Sequence, residues 1–261
     1  MAVVSGNGQL RRSLLVDIGN TNLKWCWLKD GKRSAILHAP HKHVPITELL
    51  EQIWRDHGAP VQILVANVAA PALNIGIEEW VGEAWNCPIR FLKSEQMFAG
   101  VSNAYQTPTQ LGVDRWLTLV AARHEYRGDV CVVDCGTAVT IDLLKSDGKH
   151  MGGLILPGFT LMRHALLDKT HIPRVDSDPA DIPLLGRDTQ SAVAAASLYS
   201  VVALVSYVMR EAESLLDSTP KLLLTGSDAE RLRSGLEMDA VLDLELIMKG
   251  LAIYADEEPK L

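Results

Sequence analysis

The sequence predicts an α/β chain of two equivalent lobes, each opening with an antiparallel strand meander. Three observations carry this. Short apolar, strand-like runs alternate with longer helix-like stretches along the 261 residues. An internal repeat aligns LLVDIGNTNLKWCWLKDGK (14–32) without gaps to CVVDCGTAVTIDLLKSDGK (131–149), at an offset of 117 residues. Its six identities fall at the turns: Val16/Val133, Asp17/Asp134 and Gly19/Gly136 at the first, Asp-Gly-Lys at 30–32/147–149 at the second. Finally, the composition is that of a globular chain, 48% hydrophobic and 22% charged. A chain this long buries a large core and needs no disulfide or metal to fold.

The elements follow in order. Residues 14–18 read as a buried strand, with a turn at Gly19-Asn20 and a second strand at 22–28. Asp30-Gly31 is a hairpin signal, and a third strand near 34–38 completes the meander. VQILVANV (61–68) is another buried strand, and 72–86 a helix anchored by Trp80 and Trp85. Residues 94–111 are loop-like around Pro108, and a helix runs from Val113 to Tyr126. The second block has strands at 130–134, 138–144 and 150–156, with a hairpin at Asp147-Gly148. A helix at 159–167 precedes a proline-punctuated extended loop at 170–187. A long helix then starts at an Asp188 or Thr189 cap and continues to Leu216. KLLLT (221–225) is a strand, Gly226-Ser227 turns into a further helix, and the last helix covers 243–255. The domain boundaries read as 1–12 for a flexible polar extension, 13–128 for the first lobe and 129–261 for the second.

Charge narrows the function classes. A net charge of −7 excludes nucleic-acid binding by a broad basic face. Cys26, Cys87, Cys131 and Cys135 form neither a C-x-x-C pair nor a finger spacing, and read as reduced, mostly buried thiols. Residues 1–12 lack the apolar core of a secretory signal. The stretch 189–209 carries no charge, which is long enough for a bilayer. It is rich in Ala and Ser and contains Gln190 and two Tyr, so it reads as a buried or subunit-contact helix, not a membrane span.

The repeated turn has the form strand, Asp, any residue, Gly, small polar residue. Such an Asp suits holding a metal or an attacking group, and the glycine lets backbone N–H groups approach a ligand. Asn20, Thr21 and Thr137 add donors. Two facing turns make a phosphate clamp with little basic charge, and Mg²⁺ offsets the rest. P-loop, dinucleotide-binding, hydrolase-elbow and zincin motifs are absent from the sequence. His41-Lys42-His43 reads as a solvated surface loop, and the remaining histidines form no ligand spacing. In GVSNAYQTPTQLGVDRW (100–116), Asp114 and Arg115 fall beside Gly112 at a helix N-terminus, where the dipole favours anions.

These stretches together resemble the type III pantothenate kinases, a family of the acetate kinase, sugar kinase, Hsp70 and actin superfamily. The match rests on D-I-G-N-T (17–21), Y-Q-T-P-T-Q-L-G-V-D-R (105–115), D-C-G-T-A-V-T (134–140) and G-G-L-I-L-P-G (152–158), in family order. T-G-S-D-A (225–229) fits the superfamily's adenosine-side turn. Two departures are small: residues 1–12 have no counterpart, and a usually polar run reads VANVAAP (65–71) here.

The resemblance implies two duplicated ribonuclease H-like domains with a cleft between them. It implies ATP-dependent phosphorylation of pantothenate to 4′-phosphopantothenate, the first step of coenzyme A synthesis. By resemblance, Asp17, Ile18, Gly19, Asn20, Thr21, Asn22, Leu23 and Lys24 form the first phosphate loop, with Gly136 and Thr137 in the second. Asp17 would position Mg²⁺ or its water, and Asp134 matches a K⁺ or NH₄⁺ ligand. Tyr105, Gly112, Val113, Asp114, Arg115 and Thr189 match pantothenate contacts, and Asp114 the proton acceptor. A cytoplasmic homodimer is expected, its substrate site near the subunit contact. Two other readings stay open at this stage: a phosphotransferase acting on a different acceptor, and a nucleotide-binding regulatory accessory protein without kinase activity.

Overall fold

The computed structural model describes residues 12–170, 182–216 and 218–257. The expected 1–12 extension therefore lies outside the described residues except for Arg12, as does most of the proline-punctuated loop.

The chain opens with β1 (Ser13–Ile18), all six residues buried, and turns into β2 (Asn22–Lys29). Asp30 and Gly31 both take positive φ, 50° and 70°, as a tight primed turn requires. The third strand is not continuous. It splits into β3 (Lys32–Arg33) and β4 (Leu37–Pro40), both paired to β2. The break falls at Ser34, whose hydroxyl accepts from the Trp27 N–H while its own N–H donates to the Trp27 carbonyl. Next come α1 (Ile46–Trp54), β5 (Gln62–Asn67), α2 (Ala72–Ala84) and β6 (Ile89–Phe91). Strand order is β3-β2-β1-β5-β6, with β5 and β6 running parallel to β1. Both helices bury an apolar stripe with the sheet, around Trp25, Trp54 and Trp80.

A small hairpin, β7 (Met97–Phe98) with β8 (Val101–Ser102), leads through a 3-10 turn at Pro108–Gln110 to α3 (Val113–Glu125). The meander then recurs as β9 (Val130–Cys135), β10 (Ala138–Leu144) and β11 (His150–Pro157). After α4 (Phe159–Leu167) and α5 (Thr189–Leu216) come β12 (Lys221–Thr225), α6 (Ala229–Gly235), β13 (Val241–Leu242) and α7 (Leu246–Asp256). The second sheet has order β11-β10-β9-β12-β13, with β12 and β13 parallel to β9. Strand for strand this is the topology of the first sheet, so the duplication read from the sequence is a duplication of fold.

The two turns differ by one residue. Ile18 pairs with Leu23, whereas Cys135 pairs with Val139, so the second turn is one residue shorter. The gapless alignment therefore slips at this point, and a one-residue slip exchanges the faces of a strand.

α5 is apolar and long enough to cross a membrane by length and composition, and 39% of its most apolar window is buried. The buried part is a stripe at helical spacing, Ala194, Leu198, Val201, Val205, Met209, Ala212 and Leu216. From Leu198 onward that stripe joins β9, β10 and β12 residues in one core.

Contacts group the described residues into two compact units interleaved in sequence. One takes those up to Ser94, then Gly112–Leu117 and those from Ile247; the other takes Glu95–Leu111 and Thr118–Leu246. A single cut at 128/129 does not describe this, because α7 packs within the first unit. Gly250 lies so close to the Leu117 backbone that a Cβ would stand 2.9 Å from its carbonyl carbon. The Trp116 indole N–H donates to the Tyr254 hydroxyl at 2.8 Å, and Gln62 donates to the Ala255 carbonyl at 3.2 Å.

Candidate active site

In the first unit, the β1–β2 pairing fixes the turn that carries Asp17 to Lys24. Asp17 is buried at the strand end, and Lys24 stands directly opposite it on the same face of the sheet. Ile18 and Leu23 close the strand pair from within the core. Gly19 N–H donates to the Asn22 carbonyl at 3.1 Å, leaving Asn20 and Thr21 exposed at the tip.

His41 braces this turn. Its Nε2 lies 2.7 Å from the Gly19 carbonyl oxygen. A carbonyl only accepts, so Nε2–H is the donor. The backbone N–H of His41 also donates to the Thr21 carbonyl at 3.4 Å. Lys42 and His43 are exposed as the sequence suggests, but His41 is buried, so the surface-loop reading does not hold for it. Nothing in the spacing announces this role, because the contact depends on β4 pairing with β2.

Gly112, Val113, Asp114 and Arg115 also belong to the first unit, at the start of α3. Val113 and Arg115 are buried. The Arg115 backbone N–H donates to Asp114 Oδ1 at 2.7 Å. That oxygen lies 2.5 Å from where a Cβ on Gly112 would be, so glycine is what lets the carboxylate fold back here.

The second unit holds the shorter turn. Gly136 N–H donates to the Ala138 carbonyl at 2.9 Å, and Thr137 is exposed. Two glycines distant in sequence seat this turn. Gly158 N–H donates to the Thr137 carbonyl at 2.9 Å, and a Cβ there would stand 2.7 Å from the same oxygen. A Cβ on Gly226 would fall inside contact distance of Asp134 Oδ1 and the Cys135 carbonyl. Asp134 pairs with Thr140 on β10 and Thr225 on β12, which surrounds it with oxygen-bearing neighbours.

Beyond Gly226, the Asp228 N–H donates to the Cys135 carbonyl at 2.9 Å. Burial raises the Asp228 carboxyl above its ordinary range, against the pull of Arg231 and Arg163. Burial lowers both guanidinium groups, and Arg231 further lowers Arg163. Arg231 lies over the Phe159 ring at 5.0 Å, a cation–π contact. Burial, with the charges of Asp134 and Asp228, raises the Cys135 thiol. Burial with Asp142 pushes Cys131 up to about 12. All four cysteines are free.

Tyr105 lies in the second unit on the loop after β8, half-buried, with its ring stacked on His150. Thr189 is the exposed first residue of α5 in the same unit. Asp188 caps that helix, with its Oδ1 accepting from Gln190 and Ser191 N–H at 3.0 and 2.9 Å. Among the described residues no group of three or more His, Cys, Asp or Glu side chains could hold a metal. A divalent ion would therefore rely on phosphate and water oxygens with one carboxylate, as Mg²⁺ does.

The profile of the type III pantothenate kinase family matches residues 13–211. Type III pantothenate kinases from Nitrosococcus oceani and Laribacter hongkongensis are 36% and 35% identical to the chain. These matches cover 95% of the chain and 95% of the first relative, and 93% and 98% for the second. The fold is shared with a Campylobacter jejuni protein named for the Baf family of transcriptional activators, at a TM-score of 0.61 and 24% identity, covering 95% of this chain and all of that one. It is shared too with the ethanolamine utilization protein EutJ from Carboxydothermus hydrogenoformans, at 0.54 and 15% identity, over 93% and 89% of the two chains. With the family profile over three quarters of its length and relatives above one-third identity over nearly all of it, the chain belongs to the type III pantothenate kinase family.

Proposed function

We propose that the chain transfers the γ-phosphoryl group of ATP to the primary hydroxyl of pantothenate, giving 4′-phosphopantothenate and ADP, the first step of coenzyme A synthesis. The observation that carries this is a family match spanning both D-x-G turns and the Tyr105–Arg115 stretch. The hydroxyl oxygen bonds to phosphorus as the bond to the ADP oxygen breaks. Asp114 takes the hydroxyl proton, a role that requires the carboxylate form. The Arg115 N–H orients that carboxylate, and the buried Arg115 restrains the start of the helix. Positioning and charge stabilisation supply most of the acceleration in phosphoryl transfer. The turns at 17–24 and at Gly136-Thr137 do the positioning. Tyr105, Gly112, Val113, Arg115 and Thr189 orient pantothenate.

Mg²⁺ held by Asp17, directly or through water, would neutralise charge on the phosphates. The residues fit such an ion, since Asp17 ends a buried strand with an exposed polar turn beside it. K⁺ or NH₄⁺ fits Asp134, whose paired neighbours Thr140 and Thr225 bear neutral oxygens. The reaction belongs in the cytoplasm, where free thiols stay reduced.

A homodimer fits the uncovered apolar surface of the second unit. The edge strand β11 exposes Leu154 and Ile155, α4 exposes Leu161 and Leu166, and Tyr207 stands out from α5. An apolar edge strand left open invites pairing with a second copy. Light scattering on the active enzyme should give twice the chain mass; a fully active monomer would remove this part of the reading.

The test of the reaction is ADP release with ATP, Mg²⁺ and K⁺, with and without pantothenate. Asp114→Asn should lower pantothenate-dependent turnover by about 10² to 10⁴ while leaving nucleotide binding intact. Release that ignores pantothenate, or a variant with near-normal turnover, overturns the assignment.

A further inference from the structure

His150 has no role in the chemistry above, yet it is 1% exposed, as is Asp142. Its Nε2 lies 2.9 Å from Asp142 Oδ1. On the other side of the ring, the backbone N–H of Ala104 donates to Nδ1 at 3.4 Å. One nitrogen accepts from an amide, so the other carries the proton toward the carboxylate. The contacts thereby place the donor on Nε2 and leave Nδ1 as the acceptor. Its face stacks on Tyr105, with centroids 6.2 Å apart and planes within 12°.

Getting His150 into this position takes a β-bulge. Asp142 pairs with Gly153 but Leu144 pairs with His150, so β11 carries one extra residue between the two pairs. Gly152, at φ 103°, sits in the bulge. Without it the regular register would turn His150 to the opposite face of the sheet from Asp142.

The same hairpin seats the loop that bears Tyr105. Ser102 N–H donates to the Gly148 carbonyl at 2.9 Å, and Gly148, at φ 88°, lies so close to the Gly100 carbonyl that a Cβ would collide with it. Asn103 then ties the loop to itself. It accepts from Tyr105 N–H at 2.9 Å and donates to the Glu95 and Pro108 carbonyls.

We propose that His150, braced by Asp142, is a positioning residue for pantothenate, which acts by fixing the Ala104–Tyr105 segment and the plane of the Tyr105 ring. This rests on the reading of Tyr105 as a pantothenate contact. His150 reaches the substrate only through Tyr105. Its loss therefore weakens pantothenate binding and leaves the nucleotide side and the proton acceptor unchanged.

Steady-state kinetics on the full chain test this. His150→Ala should raise the pantothenate KM about tenfold, with kcat and the ATP KM held within about twofold. His150→Asn keeps an acceptor near the Nδ1 position and should restore most of the pantothenate KM; His150→Leu should not. A purely structural role predicts the opposite pattern: a lower melting temperature and active fraction, an unchanged KM in the folded enzyme, and no rescue by Asn. That pattern overturns the proposal.

A second measurement needs no variant to fold. ¹⁵N NMR of the wild-type imidazole should show Nε2 protonated and Nδ1 bare, and the reverse tautomer overturns the proposal. Tyr105→Ala separates the two levels of inference. If it leaves the pantothenate KM unchanged, the substrate reading of Tyr105 fails and the proposal with it. If it raises KM while His150→Ala does not, only the positioning role fails.

Discussion

Replacing Gly158 by alanine tests the phosphate turn of the second unit through geometry alone. Gly158 has φ −67° and ψ 167°, a conformation open to any residue, so the substitution adds no backbone strain. What it adds is one methyl group facing the turn. The new Cβ would stand 2.7 Å from the Thr137 carbonyl oxygen and closer still to that of Gly136. Carbon and oxygen normally meet at about 3.3 Å or more, so the turn must retreat by about 1 Å. Neither carbonyl belongs to a side chain that could rotate away, and Gly158 N–H is bonded to the Thr137 carbonyl. A 1 Å misplacement in a phosphoryl-transfer site costs on the order of 10² in rate. kcat/KM for ATP, measured at saturating pantothenate, should fall by about that factor. Gly82→Ala is the control, since Gly82 is an exposed position of α2 with nothing within 4 Å of an added Cβ. It should leave kinetics unchanged and raise stability by about 0.5–1 kcal/mol. A Gly158→Ala enzyme within about threefold of wild type would refute the placement of ATP phosphates on Gly136 and Thr137.

Two further predictions concern stability. Tyr254→Phe removes the acceptor of the buried Trp116 indole N–H, and should cost about 1–3 kcal/mol, read as a melting temperature lower by several degrees. An unchanged melting temperature would deny α7 its anchoring role. Asp188→Ala removes the cap of α5. Hydrogen bonds from the backbone and hydroxyl of Ser191 hold the Asp188 carboxyl below its ordinary value. A depressed carboxyl stabilises the fold above its unfolded pKa, and that contribution is lost as pH falls through the folded value. The melting-temperature gap between wild type and variant should thus be full near neutrality and close as pH drops below about 5. A gap that widens on acidification contradicts the capping account.

Much of the architecture was legible because each meander is written in consecutive residues. The Asp-Gly hairpins, the capped apolar run at 189–216 and the turn from Thr225 into a helix all formed as the local chemistry requires. What escaped has physical causes. β6 and β13 have three and two residues, too short for any alternation to register. α1 buries Leu49, Leu50 and Trp54 as a helical stripe, yet it starts after Pro45 with no side-chain cap to mark its N-terminus. α7 packs with elements nearly 200 residues earlier, a pairing that nothing local in its sequence marks. The site shows the same division. Asp17–Lys24 and Gly112–Arg115 are contiguous motifs. His41, Gly158, Gly226 and His150 reach the same turns and loops only once strand register is known.

Register also bears on the ions proposed for the two turns. Across the first sheet, Asp17 faces Lys24 on one neighbour and Ala66 on the other. Across the second, Asp134 faces Thr140 and Thr225. The lysine supplies positive charge beside Asp17, so under the proposed function that carboxylate would need only to share a divalent ion with phosphate oxygens. Across its sheet Asp134 is paired with two threonines, whose hydroxyls offer neutral oxygens. One carboxylate among neutral oxygens suits a weakly hydrated monovalent cation better than Mg²⁺, which parts reluctantly with its water. In the gapless alignment Lys24 corresponds to Ile141, whereas the observed register matches it with Thr140. The one-residue difference between the turns therefore decides which residue stands opposite each aspartate, and this is the basis for proposing a different cation at each.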